Sequence, residues 1–256
     1  MLFSYTAVVD GRMPDIRAAR RTVKDILVFQ GLEWNIPAAE HATVFVLPGS
    51  HEVDVLKAFE TAYDSAVVGA GDSTPANEEL ALAGLDFLAG QVWRGGVGDA
   101  LMLANHPARR GIDSPHEIRG WRDRQPTIAV GFEGAPGHQA AGLPAPLGPA
   151  AGRGFYQGAP SAASFPGYPL ESYRTWGGFD WMTATVGGLW DSLLAEGKPW
   201  WITSNSDSHS NYGDTAKRGD ESFATNGFYA DPVYLGGPNL TAGDYWPGFY
   251  SRTHVG

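Results

Sequence analysis

Apolar positions along this chain fall into short runs divided by polar, Gly- and Pro-rich turns. Met13–Lys24 is polar and helix-compatible and leads into Asp25–Phe29 (DILVF), which has the length and branching of a buried strand and is closed by Gln30-Gly31. Thr43–Leu47 is a second strand candidate, ended by Pro48-Gly49. Val53–Ser65 and Glu78–Trp93 repeat their apolar residues at helical spacing, with the turn-rich Gly69–Pro75 between them. Asp99–Asn105 and Gln125–Phe132 read as further strands. Asp180–Leu194 reads as a helix stopped at Gly197, with Pro199 just beyond, and Trp200–Thr203 as a last strand. This mixture predicts a layered α/β domain with its site at strand ends. The chain shows no internal repeat.

Composition narrows the picture. The 256 residues suffice for the core of a single domain spanning 1–256. Within it Ala135–Pro169 is rich in Gly, Pro, Ala and Ser, and is too long for a routine connector; a functional loop or insertion is expected around residues 135–170. The 18 Lys and Arg against 28 Asp and Glu leave a net charge of -10, which gives no electrostatic support to a nucleic-acid partner. No apolar run approaches the length of a membrane span, and MLFSYTAVVDGRMPD lacks the basic and apolar regions of a signal peptide, so a soluble protein is expected. Cysteine is absent, which excludes disulfides, thiolate ligands and a cysteine nucleophile. A transition-metal site here must use imidazole and carboxylate.

The chemistry-bearing pattern is an apolar strand followed by an ionisable side chain: Glu33 after VFQGL, His106 after DALMLAN, and Asp207-x-His209 after WWITSNS, with His41 between the first two strand candidates. Each has a plain structural alternative. Asp207 suits a turn cap, His106 before Pro107 a fixed loop, Glu33 a solvated surface, and His41 a satisfied core or loop position. Their combination carries the weight, because a barrel-like α/β fold converges strand-end residues on one face.

In this order the motifs resemble the polymerase and histidinol phosphatase (PHP) type of domain. QGLEWNIPAAEH is similar to its Gly-x-Glu motif with a following His, ANHP to its third motif, and ITSNSDSH to its (S/N)-x-Asp-x-His signature. The resemblance spans about Asp25 to Ser210. It implies a distorted (β/α)7 TIM-like barrel holding two or three divalent metal ions (Zn, Mn or Fe), and hydrolysis of a phosphate ester by metal-activated water. By this resemblance Glu33 bridges two metals, His41 and His106 complete one of them, Asp207 binds the other bridged metal, and His209 binds the third. The partner implied is a small phosphorylated substrate. The family's opening His-x-His motif has no counterpart, since the first histidine is His41. The expectation is a fragment whose first strands lie upstream, against the alternative of a reduced site.

Four further residues are candidates for substrate contact. Arg109 and Arg110, just past His106-Pro107, have the fork geometry that binds phosphate, or serve surface salt bridges. Glu133 and His138 in GFEGAPGHQ sit where a strand opens into a loop, or are simply a loop carboxylate and imidazole. Two alternative functions remain at this level. One is an amidohydrolase-type metal hydrolase, disfavoured because no lysine of this chain stands at a strand end as that type requires. The other is a non-catalytic relic whose Trp-rich segment, from Trp176 to Trp201, binds a carbohydrate or a partner protein.

Overall fold

The computed structural model describes residues 13–107, 112–133, 155–157, 174–176, 182–183, 186–203 and 253. A first helix, α1 (Met13–Thr22), precedes the antiparallel pair β1 (Gln30–Asn35) and β2 (His41–Val46). Three helices follow: α2 (Glu52–Tyr63), the short α3 (Ser65–Val68) and α4 (Pro75–Trp93). The chain then runs through β3 (Ala100–Asn105), α5 (Pro115–Arg124) and β4 (Ala129–Glu133). β5 (Phe155–Gln157) pairs with β6 (Arg174–Trp176) as a small separate antiparallel sheet, close to the expected insertion. Last come α6 (Leu189–Ala195) and β7 (Trp201–Thr203).

The main sheet has the order β1-β2-β3-β4-β7, antiparallel for the first three strands and parallel from β3 to β7. This corrects the barrel expectation. Among the described residues the sheet is open and mixed, and β1 does not close onto β7. The local cause is the connection between β1 and β2. It runs only from Ile36 to Glu40, far too short for a crossover helix, so the two strands must pair antiparallel. Only β3-α5-β4 and the later return to β7 have the parallel sense a (β/α) barrel needs.

Two predicted strands and one predicted helix also shift. DILVF is not a strand: Ile26 and Leu27 are 61% and 76% exposed, and pairing begins at Gln30. The strand lies one segment later because Leu32 and Trp34 alternate into the core, which a continuous apolar run does not reveal. Gly31 permits the close pairing, since a Cβ there would stand 2.4 Å from the Val44 carbonyl oxygen. The strand expected from Gln125 starts at Ala129, because Gln125 caps α5. Within the described part of Asp180–Leu194, the helix begins only at Leu189. Gly187, at φ +79°, and Gly188 hold the preceding residues in a turn. Helix α5 was not anticipated, although Ser114-Pro115-x-Glu117 spells a capping box: Ser114 Oγ accepts from Glu117 N at 3.1 Å and Glu117 Oε2 accepts from Ser114 N at 2.8 Å.

The core lies on one face of the sheet. Trp34, Val44, Met102, Ala104 and Phe132 pack there against Phe59, Leu85, Leu88, Ile118, Trp121 and Leu193 of the helices. Trp34 is fully buried, meets Phe59 edge-on at 5.0 Å, and donates its indole N–H to the Tyr63 carbonyl at 2.7 Å. Truncating such a side chain costs about 3–5 kcal/mol. The opposite sheet face carries Glu33, His41, Thr43 and Asn105. No described helix is long and apolar enough to cross a membrane.

Candidate metal centre

The antiparallel register fixes the first two residues of the site. Glu33 faces Thr43, and Asn35 faces His41, so Glu33 and His41 are diagonal neighbours on the non-core face. Glu33 Oε1 lies 3.2 Å from His41 Nδ1, and the two side chains are 53% and 30% exposed. Glu33 is therefore inside β1 rather than at its end, on the face opposite Leu32 and Trp34.

His106 arrives from the next strand. It follows β3 directly, is 2% exposed, and meets the His41 ring edge-on, with centroids 5.6 Å apart and planes at 68°. Its backbone is left-handed at φ +32°, uncommon for a residue with a Cβ. The His106 N–H donates to the Glu133 carbonyl at 2.9 Å, which ties the residue to the end of β4. One ligand atom each from Glu33, His41 and His106 lie within 4.8 Å of one another. Among the described residues these three form the one His and carboxylate group so arranged.

The donor chemistry fits a divalent cation. One carboxylate and two imidazoles give an oxygen-nitrogen set suited to Zn, Mn or Fe. Glu33 and His41 form the open side, where solvent reaches, while His106 forms the buried wall.

Most of the residues that support them are buried, among them Asn105, Asp64 and Asp113. Thr43 Oγ1 donates to Asn105 Oδ1 at 2.8 Å, linking β2 to β3 beside His106. The loop from Ile36 to Glu40 is closed by Ile36 N–H to the Glu40 carbonyl at 2.9 Å and by Ala38 N–H to the Ala70 carbonyl at 3.0 Å. Asp64 accepts from the Asn35 N–H at 2.9 Å, and Asp113 Oδ1 accepts from the Glu40 N–H at 2.9 Å. Burial, then the nearby charge of Glu117, pushes the Asp113 carboxyl well above the ordinary carboxylate range. Burial likewise raises Glu117 to about 7, against the hydrogen bonds it accepts from Ser114.

The structure thus brings Glu33, His41 and His106 together. Glu133 is buried at the end of β4, in register with Asn105, rather than on a loop. Arg109, Arg110, His138, Asp207 and His209 lie outside the described residues. In the Trp-rich segment, Trp200 is buried edge-on against Phe132 at 5.2 Å, and its carbonyl accepts the Trp190 indole N–H at 2.7 Å. Trp201 is 68% exposed. Sequence reasoning missed Asp113 and the Thr43–Asn105 bond. The first had a neighbouring signal in the Ser114 capping box; the second depends on strand register, which has no local mark.

Comparison with protein-family models, curated proteins and solved structures found no match.

Proposed function

We propose that this chain is a metal-dependent phosphoesterase whose metal is held by Glu33, His41 and His106. The observation that carries the reading is the approach of three ligand atoms, from three different strands or strand ends, to within 4.8 Å on one sheet face. The sequence likeness of GLEW with its following His, of NHP and of SDSH to the PHP type supports a phosphate ester as substrate. By that likeness Asp207, four residues past the end of β7 at Thr203, adds a ligand for a second bridged ion, and His209, six past it, one for a third.

A divalent cation at such a centre supplies Lewis acidity, lowering the pKa of water and neutralising phosphoryl oxygens. The protein's own residues do the rest. The Glu33 carboxylate offsets part of the cation's charge and leaves a net positive centre for a phosphate. His41 presents an imidazole from the open side. His106, buried and bonded through its backbone to Glu133, fixes the wall against which the others close.

The test is hydrolysis of a panel of phosphomonoesters and phosphodiesters by the purified chain with Mn(II), Zn(II) or Fe(II). Expected is metal-dependent release of phosphate or alcohol that chelator and His106→Ala both abolish. A chain that binds metal yet cleaves no ester in the panel contradicts the phosphoesterase reading and leaves the metal site standing.

A further inference from the structure

We propose that Asp113 is a positioning residue of this centre: its buried carboxyl holds the Glu40 amide, and through it the angle at which His41 meets Glu33 and His106. The inference rests on the metal-site reading.

His41 is the first residue of β2, so its direction depends on how the chain enters the strand. The residue before it is held on both sides. The Glu40 carbonyl accepts from Ile36 N–H at 2.9 Å, closing the loop from β1, and the Glu40 N–H donates to Asp113 Oδ1 at 2.9 Å. The first bond is local to the hairpin. The second comes from a distant part of the sequence, and it ties the residue before His41 to the segment that follows His106.

Asp113 is well placed to act as a fixed point. It is completely buried, and the next residue, Ser114, is the N-cap of α5, locked by its reciprocal bonds with Glu117 and by Pro115 at the first helical position. Helix α5 packs into the core through Ile118 and Trp121. The carboxyl therefore stands one residue before the N-cap of a helix that is packed into the core. Asp113 stands seven residues past His106 in the chain, and its bond is to the residue that leads into His41.

A fully buried acid beside Glu40 and Glu117 is a destabilising choice for closing a turn, because each neighbour's charge opposes its own. Held neutral, it acts as an oxygen acceptor for one amide, and an asparagine has the same acceptor in the same place. That distinguishes positioning from charge. Asp113→Asn keeps the acceptor, Asp113→Leu fills the space without it, and Asp113→Ala empties the space.

The experiment is titration of the purified, metal-free chain and these variants with Co(II), reading affinity and the visible absorption band, whose position and intensity report coordination geometry. Far-UV circular dichroism identifies the variants that fold. Expected is an Asp113→Asn protein with the wild-type band and affinity, and Asp113→Leu and Asp113→Ala proteins with a changed band and affinity about tenfold weaker. Wild-type bands and affinities in Asp113→Leu and Asp113→Ala overturn the proposal. So does an Asp113→Asn protein impaired as much as they are. If neither truncated variant folds, Asp113→Asn decides by itself: an unchanged band supports the role, and a changed one overturns it. A wild-type chain that binds no Co(II) removes the metal site, and this inference with it.

Discussion

His41 and His106 meet edge to face across β2 and β3, with ring centroids 5.6 Å apart and planes inclined at 68°. One ring is 30% exposed at the side chain and the other residue almost fully buried, so the pair spans the boundary between core and solvent. Glu33 closes the triangle from β1. As the proposed metal centre, the triad has one buried wall and two more exposed arms, and each part has a separable test.

The wall is the more demanding half. His106→Ala removes a buried ring and leaves a space about the size of an imidazole beside His41. It is expected to lose metal binding and to destabilise the fold by about 2–4 kcal/mol. Glu33→Gln, at an exposed position, is expected to weaken metal binding with a stability change within about 0.5 kcal/mol. Calorimetric metal titration beside urea denaturation separates the two. Equal stability losses in both variants contradict this division.

Gly31 lies on the site face of β1, two positions before Glu33. A Cβ there would stand 2.4 Å from the Val44 carbonyl oxygen and 2.9 Å from the Phe45 Cβ. Gly31→Ala must part β1 from β2, and is expected to lower stability by about 1–3 kcal/mol and weaken metal binding as Glu33 moves away from His41. Thermal denaturation and metal titration of the variant check both effects. Wild-type values for both contradict the pairing described here.

Arg20 supplies a control remote from the site. Its guanidinium bonds both oxygens of Glu52, at 2.7 and 3.0 Å, and its Nε donates to the Val28 carbonyl at 2.8 Å. Glu52 is only 2% exposed, so Arg20→Ala leaves a buried charge without its partner and is expected to cost about 3 kcal/mol. Metal affinity should stay at the wild-type value. A fall in affinity that matches the fall in stability would show that metal binding merely follows overall folding.

Glu117 makes stability depend on pH. Its carboxyl is raised from 4.5 to about 7 by burial, so the folded chain holds the proton more tightly than the unfolded chain. The resulting stabilisation is complete below about pH 4.5 and is lost as pH rises toward and through 7, a change of about 3 kcal/mol at most. Asp113 shifts in the same direction. Urea midpoints should therefore fall between pH 5 and pH 8 in the wild type, and fall less in Glu117→Gln. An equal fall in both proteins assigns the dependence to other groups.

The three residues of the candidate site and most of the helices and strands were legible in the chain, whereas the strand order and the start of β1 were not. Glu33, His41 and His106 stand out because their types suit one chemistry and each adjoins an apolar run. The framework depends on features without a local mark. Whether Leu32 or Phe29 enters the core is settled by alternation against β2, and DILVF, the more apolar run, lost to QGLEWN because the latter places Trp34 beneath Phe59. The closed barrel failed for a related reason. A strand followed by a ligand is a pattern that parallel and antiparallel strands share, whereas the short loop from Ile36 to Glu40 allows only the antiparallel pair. Helix α5 was within reach of the sequence through Ser114 and Glu117, and with it Asp113 would have been placed next to a helix start.

Glu33, His41 and His106 together are the proposed ligands of one divalent cation. The most direct test is calorimetric titration of the metal-free chain with Zn(II), beside a His41→Ala/His106→Ala variant shown by circular dichroism to be folded. Saturable binding is expected in the wild-type chain and its loss in the variant. Identical isotherms for the two proteins would contradict the proposed ligand set.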